Sequence, residues 1–503
     1  MYIVTAKEMY DIDHFAMTEI GLDGKLLMEN AGRAVADRVT AIVKDTDKIC
    51  VLAGSGNNGG DGFVIARTLL DKGYAVQVLQ VVANDKILGD AYYHKRLFER
   101  CGGIISLFDG KCTSMITSNN VIIDAIIGIG SKGILREPLA SLVHYINREA
   151  KKVISVDIPS GLPADEGKGE FISIQADYTF VIGAPKVSAF LNHTSPYYGK
   201  WEPVSIGLPS RAFKTNTSRF VWGIDDVRNS LPDRKPDDHK GEHGKGLVIG
   251  GSKEMPGALA MSLKASLRAG AGLITGATTE GVIRMLSANC IEATYKELSE
   301  TNGFLDNRTD VSLEGYHAVA IGMGMGRRTC TGDLVRSLVH TAECPIVIDA
   351  DGLYHIKEDL LDIENRRYPT VITPHPGEMA MLLGITVNEL LLEPFRYSRE
   401  FAIKNNSYVV LKGMITIITS PEGEQVVNMS GNPGLAKGGS GDVLTGIILA
   451  MIMQGQTIFQ ALCNACYIHG RSADELISEK HSYHDLLASD VIDGLAKVFR
   501  IIS

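Results

Sequence analysis

The chain has 503 residues, too many for one hydrophobic core, so roughly two to four domains are expected. Its 45% hydrophobic and 22% charged residues are ordinary for a water-soluble globular protein. A formal net charge of −9 leaves no basic stripe to neutralise a phosphate backbone and excludes nucleic acid as the main partner. A small anionic ligand remains compatible, because helix N-termini and backbone amides can hold it locally.

No secretory signal is expected: Glu8, Asp11 and Asp13 come early and no apolar run follows Met1. Residues 24–43 carry a helical stripe at Leu27, Ala31, Ala34, Val35 and Val39. Residues 48–53 read as a strand, then a glycine-rich turn, a helix through residues 63–70 and a further strand at 75–82. Residues 121–127 (VIIDAII) and 153–158 (VISVDI) are apolar enough for central strands covered on both faces. This alternation predicts βαβ units and a mainly parallel sheet.

A polar stretch at 207–246, with Pro209, Pro232 and Pro236, is the candidate boundary between domains. Strand patterns then restart at 246–249, 318–321, 345–348, 370–373 and 408–411, and a hairpin joins 414–419 to 425–428 through Pro421-Glu422-Gly423. Residues 443–470 carry no charge but are broken by Gln454-Gly455-Gln456-Thr457, which leaves two buried helices and no membrane span. The eight scattered cysteines suit a reducing, cytoplasmic compartment. Cys463, Cys466 and His469 could form a metal edge, but no second cysteine pair completes it, so they read as residues of a buried helix.

Two glycine-rich loops follow strands in the first half. Gly54-Ser55-Gly56-Asn57-Asn58-Gly59-Gly60-Asp61-Gly62 and Gly128-Ile129-Gly130-Ser131-Lys132-Gly133 each contain GxGxxG, which lets backbone amides approach a diphosphate. Together with LMENAG (27–32) and VDIPSGL (156–162), these motifs resemble the NAD(P)H-hydrate epimerase domain in order and spacing, over residues 1–213. The resemblance implies a Rossmann-like three-layer domain. It implies that Asn57, Asn58, Gly59, Gly60 and Asp61, with Gly128, Ile129, Gly130, Ser131, Lys132, Gly133 and Ile134, hold the hydrated dinucleotide. Asn58, Asp124 and Ser160 would be side-chain ligands of a potassium ion, and Asp157 would touch the damaged ring as the acid/base. The competing structural role for Asp157 is capping the turn through Pro159 and Ser160.

The most specific string is Gly431-Asn432-Pro433-Gly434-Leu435-Ala436-Lys437-Gly438-Gly439-Ser440-Gly441-Asp442, ahead of a helix expected from Val443. Glycines before a helix aim successive amides into one concavity, an anion hole for a phosphoryl group, beside a carboxylate that can accept a proton. This element resembles the ribokinase-like superfamily. GGSGDVLTG (438–446), TPHPGEM (373–379), LKG (411–413), GMGMG (322–326) and MPGA (255–258) narrow the resemblance to the ADP/ATP-dependent NAD(P)H-hydrate dehydratases, over residues 222–503. It implies a three-layer α/β/α domain in which Ala258, Gly324, His375 and Asp442 contact the hydrated dinucleotide. Lys412, Gly413, Met414, Ile415, Thr416 and Gly441 would hold ADP or ATP with magnesium. Sugar kinases carry Asn-x-x-Glu where this chain has His375 and Glu378, which fits the dehydratase branch.

The function expected is repair of NADHX and NADPHX by epimerisation and by ADP-driven dehydration of the S epimer. Asp442 would activate the ring hydroxyl for phosphoryl transfer, and phosphate would then leave. A homo-oligomer is expected. One competing reading is a kinase of a small alcohol or vitamin fused to a nucleotide-binding module, and another makes the first domain a non-catalytic binding module.

Overall fold

The computed structural model describes residues 1–110, 114–131 and 133–503. They form two compact units, Met1–Ser218 and Arg219–Ser503.

The first unit is built on strands β1 (Lys48–Ala53), β2 (Ala75–Gln80), β3 (Ile104–Leu107), β4 (Val121–Ala125), β5 (Val153–Val156), β6 (Tyr178–Ile182) and β7 (Lys200–Val204). They form a 7-stranded sheet in the order β3-β2-β1-β4-β5-β6-β7, parallel throughout. The period of two divides β1 between two cores. Ile49, Val51 and Ala53 pack with Leu27, Ala31, Val35 and Phe63 of the helices Gly24–Thr40 and Asn57–Asp71. Cys50 and Leu52 pack on the other face with Leu142, Val143 and Ile146 of the helix Leu139–Glu149. With both faces covered, these strands are continuously apolar, which is why the sequence marks them. β6 and β7 are not marked. β7 carries Pro203 and exposed Glu202, the composition of an edge strand.

The second unit contains β8 (Arg219–Val221), β9 (Lys245–Ile249), β10 (Leu273–Thr278) and β11 (Thr294–Glu297), then a short hairpin of β12 (Glu300–Thr301) and β13 (Phe304–Leu305). It continues with β14 (Ala318–Ile321), β15 (Ile346–Ile348), β16 (Thr370–Ile372), β17 (Tyr408–Leu411), β18 (Thr416–Thr419) and β19 (Gln425–Asn428). The 10-stranded sheet runs β11-β10-β9-β14-β15-β16-β17-β18-β19-β8. It is parallel from β11 to β17, and β17, β18 and β19 then pair antiparallel. The polar stretch at 207–246 is no bare linker. It holds the helices Ser210–Asn216 and Ile224–Ser230, and β8 between them pairs with β19, so residues 219–221 belong to the second sheet.

The uncharged stretch near the C-terminus forms the end of one helix, Ser440–Ile452, and the start of another, Ile458–Glu479. The first begins three residues earlier than the Val443 start expected from sequence. Gly439, at φ 93, makes the turn that a residue with a Cβ resists, and Ser440, Gly441 and Asp442 then form the first helical turn. No helix among the described residues is long and apolar enough to cross a membrane.

The helix Pro256–Arg268 clamps the helix Ser440–Ile452 in place. Ser262 Oγ donates to the Asp442 carbonyl at 2.9 Å and Ser266 Oγ to the Gly446 carbonyl at 2.9 Å. This approach requires glycine at 446, where a Cβ would stand 2.3 Å from the Ser262 carbonyl oxygen and 2.9 Å from Ala265 Cβ. Neither neighbour is a flexible side-chain tip, so Gly446→Ala is expected to destabilise the second unit by about 1–3 kcal/mol, read from its unfolding midpoint. An unchanged midpoint would show that the two helices can separate at little cost.

Candidate active sites

In the first unit the site gathers at the C-terminal edge of the parallel sheet, where open α/β sheets bind ligands. The helix Asn57–Asp71 starts without a side-chain cap, so its first-turn amides are open to an anion. Asn58, in that turn, is buried, and neither its Nδ2 nor its Oδ1 has a hydrogen-bond partner. Gly128, on the loop after β4, faces it: a Cβ there would lie 3.5 Å from Asn58 Cγ and 3.6 Å from Asp157 Oδ2. Gly130 approaches Tyr10 of the helix Ala6–Thr18, whose hydroxyl would stand 3.3 Å from its Cβ. Asn58, Gly128 and Asp157 therefore converge. Gly133 has φ 69 and Ile134 is largely exposed, while Lys132 lies outside the described residues.

Asp157 follows β5 at φ 68, a conformation Asp tolerates better than most residues. Its Oδ1 accepts from the Ile182 amide at 3.1 Å and from Lys186 Nζ, a fully buried lysine that also donates to the Ile182 carbonyl. Asp61 and Asp13 complete the cluster. Burial, then the charges of Asp157 and Asp13, push the Asp61 carboxyl well above the usual carboxylate range, against Lys186. Burial likewise lifts Asp13 to about 6; Lys186 opposes this and Asp157 adds to it.

Asp124, the fourth residue of β4, is fully buried and surrounded by donors. It accepts from Ser155 Oγ at 2.8 Å, the Ser160 amide at 2.9 Å, Ser160 Oγ at 2.5 Å and the Ile126 amide at 3.3 Å. Burial pushes its carboxyl up, and these bonds oppose the rise. Ser160 Oγ also lies 3.2 Å from the Ile127 carbonyl. The oxygens of Asp124, Ser160 and Ile127 are hard donors of the kind an alkali cation takes, and the unpartnered Asn58 Oδ1 is a fourth. Among the described residues no cluster of His, Cys, Asp and Glu suits a transition metal, and Cys463 and Cys466 are simply buried on their helix.

In the second unit, a cavity of about 930 Å³ opens at the mouth of the helix Ser440–Ile452. Gly438, Gly439, Ser440, Gly441 and Asp442 form one wall; His375, Lys412, Gly413, Met414 and Thr416 are also on its surface. Ile415 does not line it. Ala258 and Gly324 also lie off that wall and meet each other, since a Cβ on Gly324 would stand 2.8 Å from Ala258 Cβ.

His375 caps the helix Pro376–Leu383. Its Nδ1 accepts from the Gly377 amide at 3.0 Å and the Glu378 amide at 3.2 Å, while Glu378 accepts from the His375 amide at 2.8 Å. With Nδ1 occupied as an acceptor, the neutral ring carries its proton on Nε2, which lies 3.4 Å from Glu378 Oε1. Lys412, directly after β17, donates to Asp349 Oδ1 at 3.0 Å. Burial alone would lower the Lys412 pKa, but Asp349 and Glu378 outweigh it and keep the ammonium charged. Burial raises Asp442 to about 7; Asp349 adds to the rise, Lys412 opposes it, and Asp351 adds further. Burial lowers His469, near Ser440 Oγ, to about 4, so its ring is neutral at pH 7.

Sequence reasoning missed Lys186, Asp13 and Asp349. Asp349 had a readable signal, an apolar strand ending in a carboxylate (IVID, 346–349), the pattern that singles out Asp157. Lys186 and Asp13 had none, because only the fold brings them to Asp157.

The parallel sheet and glycine-mouthed helix of the second unit define a ribokinase-like enzyme fold. A ribokinase-like superfamily protein from Enterococcus faecalis superposes with a TM-score of 0.50 at 26% identity, over 57% of this chain and 97% of that one. The ADP/ATP-dependent NAD(P)H-hydrate dehydratase of Bacillus subtilis, crystallised with ATP and Mg2+, is 36% identical with a TM-score of 0.51, over 56% of this chain and 98% of its own. Residues 246–497 match the family NAD(P)H-hydrate dehydratase, and residues 24–188 the family YjeF-related protein N-terminus. The bifunctional NAD(P)H-hydrate repair enzyme Nnr of Moorella thermoacetica is 34% identical over 99% of this chain and 97% of its own length. The chain belongs to the bifunctional NAD(P)H-hydrate repair enzymes.

Removing Lys186 would leave Asp157 a buried charge with its ammonium gone, a change that typically costs about 3–5 kcal/mol. Lys186→Met is expected to weaken the first unit by that order, and adding Asp157→Asn should recover part of the loss. Hydrogen exchange at the β5 and β6 amides measures both. Additive losses would mean that the pair is not coupled.

Proposed function

We propose that the first unit epimerises the hydrated carbon of NADHX and NADPHX. The second dehydrates the S epimer to NADH or NADPH with ADP, yielding AMP and phosphate. The observation that carries this reading is Asp442, a carboxylate raised to about 7 on the wall of a cavity lined by first-turn helix amides. A general base is most effective when its pKa lies near the working pH. Hydroxide is a poor leaving group from a saturated carbon, so the ring hydroxyl must first be converted into a better one.

Asp442 takes the hydroxyl proton while that oxygen attacks the terminal phosphorus of ADP, and AMP departs. The amides of Gly438, Gly439, Ser440 and Gly441 meet the transferring charge with Lys412 nearby, and magnesium travels with the nucleotide as part of that co-substrate. The C–O bond then breaks with help from the ring nitrogen, phosphate leaves with the former hydroxyl oxygen, and loss of a proton from the adjacent ring carbon to solvent restores the dihydronicotinamide. His375 Nε2, Ala258 and Gly324 are assigned to the dinucleotide, and residues 412–416 with Gly441 to the nucleotide donor.

In the first unit the glycine-rich loops hold the dinucleotide. Asp157 gives a proton to the hydroxyl as its C–O bond breaks with help from the ring nitrogen, then takes one back as water re-adds to the other face. The oxygens of Asn58, Asp124, Ser160 and Ile127 would hold potassium, which supplies a fixed positive charge between the loops. An epimerase attached to an S-specific dehydratase lets both epimers be consumed. The unpaired cysteines among the described residues support a cytoplasmic setting.

Asp442→Ala is expected to lower dehydration at least about 10²-fold with the fold intact, followed by recovery of dihydronicotinamide absorbance with ADP. In the unaltered enzyme the base must be ionised, so kcat/KM should fall as the pH drops below about 7. Near-normal turnover by Asp442→Ala removes Asp442 from the mechanism. Phosphate found esterified instead of free would favour the small-alcohol kinase.

A further inference from the structure

We infer that Asp349 is a positioning residue of the dehydratase site, joining the end of β15 to Lys412 and to the catalytic helix at Thr445. The inference rests on Asp442 being the general base. Asp349 is 1% exposed and divides its two oxygens between different elements. Oδ1 accepts from Lys412 Nζ at 3.0 Å, and Oδ2 accepts from Thr445 Oγ1 at 2.7 Å. Thr445 lies three residues beyond Asp442, one turn further along the helix Ser440–Ile452. The pair also lies beneath the helix mouth, because a Cβ on Gly441 would stand 3.3 Å from Lys412 Nζ and 3.9 Å from Asp349 Oδ2.

The backbone around Asp349 is held as firmly as its carboxylate. Its amide bonds to the Ile321 carbonyl at 3.1 Å, and Ala350 follows at φ 51, a conformation that a residue with a Cβ adopts only when its surroundings impose it. Three elements that reach the site separately, β15, the end of β17 and the helix Ser440–Ile452, therefore share one carboxylate. A displacement of Asp349 would move the lysine and the base together. General-base catalysis depends on such placement, because proton transfer needs donor and acceptor within hydrogen-bond reach.

The same arrangement has an electrostatic consequence. The charged or titratable groups acting on Asp442 or lining its cavity are Asp349 and Asp351 from the β15 end, Lys412 after β17, His375 and Glu378 at the start of the helix Pro376–Leu383, Lys437 from the glycine-rich loop, and Cys466 and His469 from the helix Ile458–Glu479. Asp349 acts twice. It repels the Asp442 anion directly, and it draws on the Lys412 charge that would otherwise be spent on Asp442. Both effects favour the protonated base, so neutralising Asp349 makes Asp442 ionise at lower pH.

The test is the pH profile of ADP-dependent dehydration in the full chain, for the unaltered enzyme, Asp349→Asn and Asp442→Ala. Asp349→Asn is expected to lower the plateau kcat at least about tenfold and to move the acidic limb of kcat/KM from near pH 7 to lower pH by about one unit. A residue that only supports the fold would lower the rate with the limb in place, and that result overturns the inference. Full activity of Asp442→Ala overturns the base assignment itself, a separate failure. Should Asp349→Asn not fold, Thr445→Val carries the test, since it keeps the charge and cuts only the tie to the helix. A roughly five- to tenfold loss of kcat with the limb unmoved is expected for Thr445→Val. Thr445→Ser, which keeps the hydroxyl and its bond to Asp349, is expected to restore it, and a loss shared by Thr445→Ser overturns the inference. An unaltered kcat of Thr445→Val overturns it as well.

Discussion

On the proposed mechanism, the second site depends on keeping a carboxylate partly protonated near neutral pH in front of an anion hole. Burial beside Asp349 raises Asp442 to about 7, while Lys412, whose charge opposes that rise, is bonded to Asp349. A bond from Lys412 to Asp442 instead would lower the Asp442 pKa and weaken the proposed base. The arrangement has a cost in folding. A carboxyl that titrates near 7 in the native chain and near 3.8 when unfolded binds more protons in the native state between those values, so its contribution to stability falls as pH rises through that window. The proposed catalytic role and stability are opposed at this residue.

Both units solve their chemistry with the same scaffold. Each has a parallel sheet with buried strands, each ends such a strand in a carboxylate, and each forces a positive φ there: Asp157 itself after β5, and Ala350 next to Asp349 after β15. Each carboxylate is then held by a lysine: Lys186, which no local pattern marks, in one unit, and Lys412, which the LKG string marks, in the other. The difference lies in the helix mouth. Both helices, at Asn57 and at Ser440, open without a side-chain cap, but only the second carries a carboxylate, Asp442, in its first turn.

Much of this was legible in the residues, and the limits are physical. Central strands such as β1, β4 and β9 are apolar because both faces are covered, so pattern alone finds them. β7 and β10 escaped because Pro203 and Gly276 interrupt the signal. The helix at Asp442 was expected three residues late, since Ser440 and Gly441 are weak helix formers and only Gly439's left-handed turn sets the true start. Glycine loops and their neighbouring carboxylates are contiguous in sequence and could be read. Lys186 and Asp13 could not, because they meet Asp157 from distant elements, and charge pairing across a fold leaves no local pattern.

The claim on which all of this turns is that the ring hydroxyl receives a phosphoryl group before it leaves. Hydrated NADH carrying 18O in that hydroxyl tests it in one turnover with unlabelled ADP. The account predicts that the label appears in inorganic phosphate. Label found in water, with unlabelled phosphate, would contradict it and require direct elimination of the hydroxyl.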